Sequence, residues 1–169
     1  MVTNQILTAI KNRRSIRKYT KDDVPNEAID TVLEAGRWAP SGLNNQPWKF
    51  AIIKDKDIKQ KLSVLTESGR IVKECNACIA VFYSLPEGYN RDKDILAIGA
   101  CVQSMLLSAH SLGIGTVWLG EILNRKSDVN KLLKVGDDCE LMAVIALGYP
   151  AQSPKSSRKK LAKLIIKNL

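Results

Sequence analysis

Histidine is almost missing from this chain: His110 is the single one in 169 residues, and it falls inside an apolar stretch. A metal centre built on imidazoles is thereby excluded, and a zinc site would need two cysteine pairs. Aromatic residues make up 5% of the chain, too few for a platform that stacks single-stranded nucleic acid. No apolar run approaches the thickness of a bilayer; the longest strictly apolar one, Leu141 to Leu147, is far too short. The opening MVTNQILTAIKNRR lacks the apolar core of a signal peptide. No internal repeat breaks up the chain before its tail. A dinucleotide fingerprint is missing too, because Gly113, Gly115 and Gly120 follow a helical pattern and precede a strand, the reverse of the required order. These absences predict a soluble, cytoplasmic protein with no metal and no membrane contact.

What is present begins with charge. The net charge is +9, which by itself invites a nucleic-acid reading. The positive residues, however, are spread over RRSIRK, Lys54 to Lys61 and a tail from Lys155 to Lys167 that holds no acid. No nucleic-acid motif accompanies them, so no nucleic-acid partner is expected. The length and the 45% hydrophobic content predict one domain over 1–169, with a basic tail from about 151. Cysteines stand at 75, 78, 101 and 139. Cys75 and Cys78 form a C-x-x-C that leads into a strand, whereas a thioredoxin-like pair opens a helix. They read as buried or half-buried free thiols.

Two stretches carry the chemistry. Ala39 to Phe50, APSGLNNQPWKF, packs two prolines, a glycine, two asparagines, a glutamine and a tryptophan into twelve residues. Pro40 and Pro47 bracket a stiff, extended backbone. Ser41, Asn44, Asn45 and Gln46 between them suit a planar heteroaromatic edge, and Gly42 leaves room for a ring or backbone to approach. The plainer reading is an irregular helix-to-strand connection around a buried Trp48. Arg13 to Arg17, RRSIR, closes a short helix with apolar Ile6, Leu7 and Ile10. Three arginines and a serine suit a phosphate; the plainer reading is a basic helix end.

The remaining elements follow from periodicity. A helix begins with Pro25 in its first turn and carries Ile29, Val32, Leu33 and Gly36 on one face. Phe50 to Ile53 is a strand; Ile58, Leu62 and Leu65 give the next helix its apolar face; Ile79 to Tyr83 is a buried strand. Asp92 and Asp94 open a long helix that is apolar almost all round from Ile95 to Leu112, which predicts a partner subunit on one face. Gly113 caps it. Ile114 to Leu119 is a strand, Ser127 to Leu133 a helix closed by Gly136, and Leu141 to Gly148 the last strand. The fold class is α+β.

Together the two stretches resemble the nitroreductase family of FMN-dependent oxidoreductases. The matching segments are Arg13-Arg14-Ser15-Ile16-Arg17, Ala39 to Trp48, Gly115 to Gly120 (GTVWLG), Leu147 to Pro150 and the late basic Ser157-Arg158-Lys159. The resemblance spans nearly the whole chain. It implies a mainly antiparallel sheet packed by helices, with the long helix at a homodimer interface. It also implies FMN as cofactor and no catalytic side chain, since the flavin carries the chemistry. Residue by residue, it implies Arg13, Ser15 and Arg158 at the phosphate, helped by Arg14, and Arg17 at the N1 and C2 carbonyl edge. Backbone amides of Leu119 and Gly120 fall near N5 and O4. Pro40, Ser41, Gly42 and Asn44 close over the flavin from the partner subunit. The implied activity is hydride acceptance from NADH or NADPH and reduction of a small acceptor such as a nitroaromatic or quinone. A flavin carrier or sensor without turnover, and a basic nucleic-acid-binding protein, are the alternatives. The sequence departs from the family at Ser84 to Arg91, which is short where many members carry an insertion over the substrate pocket.

Overall fold

The structure, a computed structural model, describes residues 4–167. Four strands form its sheet: β1 (Trp48–Ile53), β2 (Ala77–Ser84), β3 (Gly115–Leu119) and β4 (Cys139–Gly148). Their order is β1-β2-β4-β3, and every pairing is antiparallel. The helices are α1 (Gln5–Asn12), α2 (Asn26–Arg37), α3 (Lys56–Ser63), α4 (Gly69–Glu74), α5 (Arg91–Ser111) and α6 (Lys126–Leu133).

Alternation along the central strands builds a core on each face. Ala77, Ile79, Val81 and Tyr83 of β2 join Ala143, Ile145 and Leu147 of β4 under α2 and α5. Cys78, Ala80 and Phe82 join Leu141, Val144 and Ala146 on the other face, where α3, α4 and α6 contribute Leu62, Val72 and Val129. Leu141 and Ala143 lie on opposite faces although two apart, because the β2–β4 register shifts between Val81 and Phe82. The extra β4 residue, Met142, is a β-bulge that reverses the parity of the strand beyond it. Each large side chain buried here contributes about 1.5–3 kcal/mol.

Local chemistry sets the helix ends. Asn4 accepts from the Leu7 N–H at 3.0 Å, Asp55 from the Ile58 N–H at 2.8 Å and Asn90 from the Lys93 N–H at 3.2 Å, each an N-cap. Two boundaries and one closing residue differ from expectation. Pro25 caps α2 from outside instead of lying in its first turn. The helix expected to carry Leu65 stops at Ser63, and a separate α4 follows. Lys134, at φ 55, takes the left-handed position that ends α6, two residues before Gly136. The Val135 N–H then reaches the Asn130 carbonyl at 2.9 Å, which closes the last turn.

Helix α5 buries Ala97, Ile98, Cys101, Val102, Met105, Leu106 and Ala109, and Gly113, at φ 74, follows its C-cap Leu112 as expected. Leu96 and Leu112 on it remain exposed. Helix α1 buries nothing: Ile6, Leu7 and Ile10 are all exposed. So are Leu161, Leu164, Ile165 and Ile166 of the tail. An eight-residue helix is marginal alone in water, so α1 needs more cover than this chain gives it. Among the described residues no helix is long and apolar enough to cross a membrane.

Candidate functional site

Strand β3 lies at one edge of the sheet, and the segment after α1 runs along it. Ser15 pairs in parallel with Thr116, and the Ile16 N–H donates to the Thr116 carbonyl at 2.9 Å. Gly115 permits this approach, since a β carbon there would lie 2.8 Å from three Ile16 carbons. Farther on, Thr20 donates to Tyr149 and Ala151 to Lys18, both at 2.9 Å. The Tyr19 hydroxyl lies 2.7 Å from the Ile16 carbonyl and 3.2 Å from that of Ala146. Pinned as an extended strand, the segment alternates: Ile16 is buried, while Ser15 is half-buried and Arg17 exposed.

On that outer side the tail returns. Arg13, Arg14, Ser15 and Arg17, with Pro154, Lys155, Ser156 and Arg158, line a cavity of about 230 Å³. No carboxylate lines it. Seven ion pairs occur among the described residues, and none engages Arg13, Arg14, Arg17 or Arg158. Burial, then the charges of Arg158 and Arg14, pull the Arg13 pKa below its ordinary value. His110 on α5 is likewise lowered, by burial and then by Arg13 and Arg14. Cations are thus held together without a counter-charge, and the donor set fits an anion with several oxygens. Arg14 is partly spent, because its Nη1 donates to the carbonyls of Lys11 (2.6 Å) and Arg13 (3.0 Å) at the end of α1. Arg158 Nη1 donates to the Ser157 carbonyl at 2.8 Å and Ser156 Oγ at 3.2 Å. The cavity suits a phosphate but not a flavin ring system, which would have to lie outside it.

The Ala39 to Phe50 stretch is a strained loop with a buried anchor. Leu43, Asn44 and Gln46 have φ of 55°, 55° and 48°, each costing on the order of 1–2 kcal/mol. Hydrogen bonds hold this shape. Ser41 Oγ accepts from the Gln46 N–H at 3.0 Å. Asn45 Nδ2 donates to Asp94 Oδ1 at 2.7 Å and the Glu87 carbonyl at 2.9 Å. Asp94 Oδ2 also accepts from the Tyr83 hydroxyl and the N–H groups of Tyr89 and Asn90, at 3.0 to 3.1 Å. Burial pushes the Asp94 pKa up, but these donors, Asn45 first, hold it below the ordinary value. Gly42 does face a ring: a β carbon there would lie 1.9 Å from the Tyr89 hydroxyl oxygen. The loop therefore presents Pro40, Leu43 and Asn44 to solvent. Ser84 to Arg91, through Glu87 and Tyr89, straps it down.

Within one chain the structure gathers Arg13, Arg14, Ser15, Arg17 and Arg158. Pro40, Ser41, Gly42 and Asn44 do not line their cavity, nor do Leu119 and Gly120. Leu119 is buried at the end of β3; Gly120 is exposed, with open space where a β carbon would be. Glu121 fixes the turn beyond it, accepting from Thr66 Oγ1 at 2.8 Å and the Glu67 N–H at 2.9 Å. The sequence reading missed Asp94, Asn45 and Tyr89 as a unit.

A larger cavity of about 790 Å³ lies between Tyr19, Lys54, Lys59 and Asn76. Its lysines are weaker anion candidates. Lys54 Nζ already donates to the Val24 carbonyl and Asn26 Oδ1, and Lys59 Nζ to the carbonyls of Cys75 and Asn76. Among the described residues no cluster of three or more His, Cys, Asp or Glu could hold a metal.

A model of the nitroreductase family matches residues 10–68 and 66–149. The chain belongs to the nitroreductase family. A nitroreductase-family structure from Desulfovibrio desulfuricans, in complex with FMN, superposes with a TM-score of 0.95 at 45% identity and covers 98% of both chains. A Methanothermobacter thermautotrophicus protein, assigned by name to the NADH dehydrogenases and NAD(P)H nitroreductases, is 35% identical over 156 residues, covering 88% of this chain and 79% of its own. An FMN reductase [NAD(P)H] of Bacillus subtilis is 26% identical over 178 residues, covering 92% of this chain and 69% of its own. The four-stranded antiparallel sheet with its long helix is the nitroreductase-like fold that the resemblance implied.

Proposed function

We propose that this chain is an FMN-dependent oxidoreductase, one domain over 1–169, that works as a homodimer. The observation that carries the reading is the acid-free cavity of Arg13, Ser15, Arg17 and Arg158 on the β3 edge of a nitroreductase-family fold. Bound FMN supplies the chemistry of accepting a hydride from NADH or NADPH and passing electrons to a small acceptor, such as a nitroaromatic or quinone. The chain itself binds, orients and shields. Arg13, Ser15 and Arg158 take the phosphate, with Lys155 beside them and Arg14 helping while it finishes α1. Arg17 supplies a cation at the N1 and C2 carbonyl edge. The backbone of Leu119 and Gly120 lies toward N5 and O4.

Pro40, Ser41, Gly42 and Asn44 act from the partner subunit. The exposure of Pro40 and Asn44 away from their own chain's cavity supports this, as do the uncovered apolar residues of α1, α5 and the tail. With no dinucleotide fingerprint in these residues, NAD(P)H and acceptor use one flavin face in turn, a ping-pong cycle. We place it in the cytoplasm, where NAD(P)H is supplied.

The test is the chromophore. Purified protein, or apoprotein mixed with FMN, shows a flavin spectrum, and FMN binds more tightly than FAD, whose adenylate exceeds a phosphate cavity of about 230 Å³. Equal affinity for FAD, or no flavin uptake, overturns the reading.

A further inference from the structure

The cysteine pair is used by nothing described above. Cys75 Sγ and Cys78 Sγ lie 3.4 Å apart, about 1.4 Å beyond a disulfide bond length. Cys101 and Cys139 are also free, but neither has a second sulfur in contact. The pair straddles the junction of α4 and β2. Cys75 lines the cavity of about 790 Å³, whereas Cys78 is fully enclosed. Cys75 is itself buried, at 2% exposure, with its Sγ 3.2 Å from the Val72 carbonyl oxygen, but it is the member of the pair that borders the cavity, and Cys78 lies behind it.

A charge sits beside them. The Lys59 ammonium is fixed by the carbonyls of Cys75 (2.6 Å) and Asn76 (3.1 Å) and is itself almost buried. Cys75 closes a helix, so the helix dipole does not favour its thiolate; Lys59 supplies the missing positive charge. We propose that Cys75 and Cys78 form a redox-active dithiol that closes to an intramolecular disulfide, with a small peroxide as oxidant.

The Cys75 thiolate attacks one peroxide oxygen. The S–O bond forms, the O–O bond breaks, and hydroxide leaves to be protonated to water. Cys78 then gives up its proton and attacks the Cys75 sulfur. The S–S bond forms, the S–O bond breaks, and a second water leaves. Two electrons pass from the thiols to the peroxide. The hydrogen bond from Cys78 holds the Cys75 pKa below the ordinary thiol value against the burial that raises it, with Lys59 assisting, while the same bond and burial raise Cys78. That division matches the order of attack. Burial alone pushes Cys101 up to about 12, which leaves it inert.

The proposal does not depend on the flavin reading. The reduced holoprotein, freed of reductant, is treated with equimolar hydrogen peroxide, unfolded in iodoacetamide and mapped by mass spectrometry. The tryptic peptide from Glu74 to Arg91 is expected two hydrogens lighter and without alkylation, with Cys101 and Cys139 both alkylated. In Cys78→Ala the reaction stops one oxygen heavier at Cys75, a sulfenic acid that dimedone traps. Full alkylation of Cys75 and Cys78, or oxidation of Cys139 ahead of them, overturns the proposal. The wild-type map decides this even if the variant does not fold.

Discussion

Arg13→Ala separates the anion role of the arginine cavity from a merely structural one. Arg13 is half-buried beside Arg14 and Arg158, in a cavity that no carboxylate lines. Removing it relieves repulsion, so apoprotein stability is unchanged or slightly higher. With FMN bound the sign reverses. A hydrogen bond to a charged group contributes about 1.5–3 kcal/mol, and each 1.4 kcal/mol is tenfold in affinity. FMN affinity should therefore fall by roughly 10- to 150-fold. Riboflavin, which lacks the phosphate, should bind wild type and variant alike. Flavin fluorescence titrations of apoprotein with both ligands measure this. His110 adds an internal reporter, since its imidazole signals are the only ones in the chain. Its pKa, lowered in part by Arg13, should rise in the variant, and should rise in wild type when FMN binds. An equal loss of affinity for FMN and riboflavin would refute the phosphate assignment.

Three further expectations follow from the same geometry. If Arg17 stabilises the reduced flavin edge, Arg17→Leu lowers the bound-FMN potential by roughly 30–60 mV; an unchanged potential with FMN still bound, read against a reference dye, removes Arg17 from that edge. Asp94→Asn leaves the Tyr89 and Asn90 amides without their carboxylate and costs about 2–3 kcal/mol, measured by urea unfolding. Because the folded pKa of Asp94 is depressed, its contribution is complete above about 3.9 and is lost as pH falls through the lower folded value; wild type should therefore lose stability in that acid range and Asp94→Asn should lose less, a difference that vanishes if the knot is unimportant. Double-reciprocal plots for NAD(P)H and acceptor should run parallel, and intersecting lines would contradict a shared flavin face.

Much of this molecule can be read from local pattern. RRSIR pointed to a cluster of cations because three arginines fall within five residues, and the fold brings Arg13, Arg14 and Arg17 to one cavity with Arg158; that this cavity takes an anion is the proposal. The register that turns Ser15 and Arg17 outward follows from Ile16 seeking the core. The long helix was visible in its apolar run, and its uncovered Leu96 and Leu112 leave room for the expected partner. The Asp94 knot was not legible. An acid in a first helical turn looks like dipole compensation, and its partner Asn45 lies far away in sequence. Short α4 escaped because it starts at Gly69 and buries only Val72 of its six residues. Helix α6 ends at Leu133 as expected, but Lys134 and not Gly136 takes the left-handed position that closes it. The bulge at Met142 is a tertiary choice that no alternation predicts. Arg158 was the reverse case: a loosely patterned tail that the fold nonetheless brings to Arg13.

The central claim is hydride acceptance from a nicotinamide by FMN held in this chain. Anaerobic titration of the FMN-loaded protein with NADH, and separately with NADPH, tests it most directly. The oxidised flavin band is expected to bleach fully with one equivalent of at least one nicotinamide per FMN, and to return on adding a quinone or nitroaromatic. A flavin band that stays oxidised with both nicotinamides, while dithionite bleaches it, would contradict the account and leave a flavin-binding protein without this turnover.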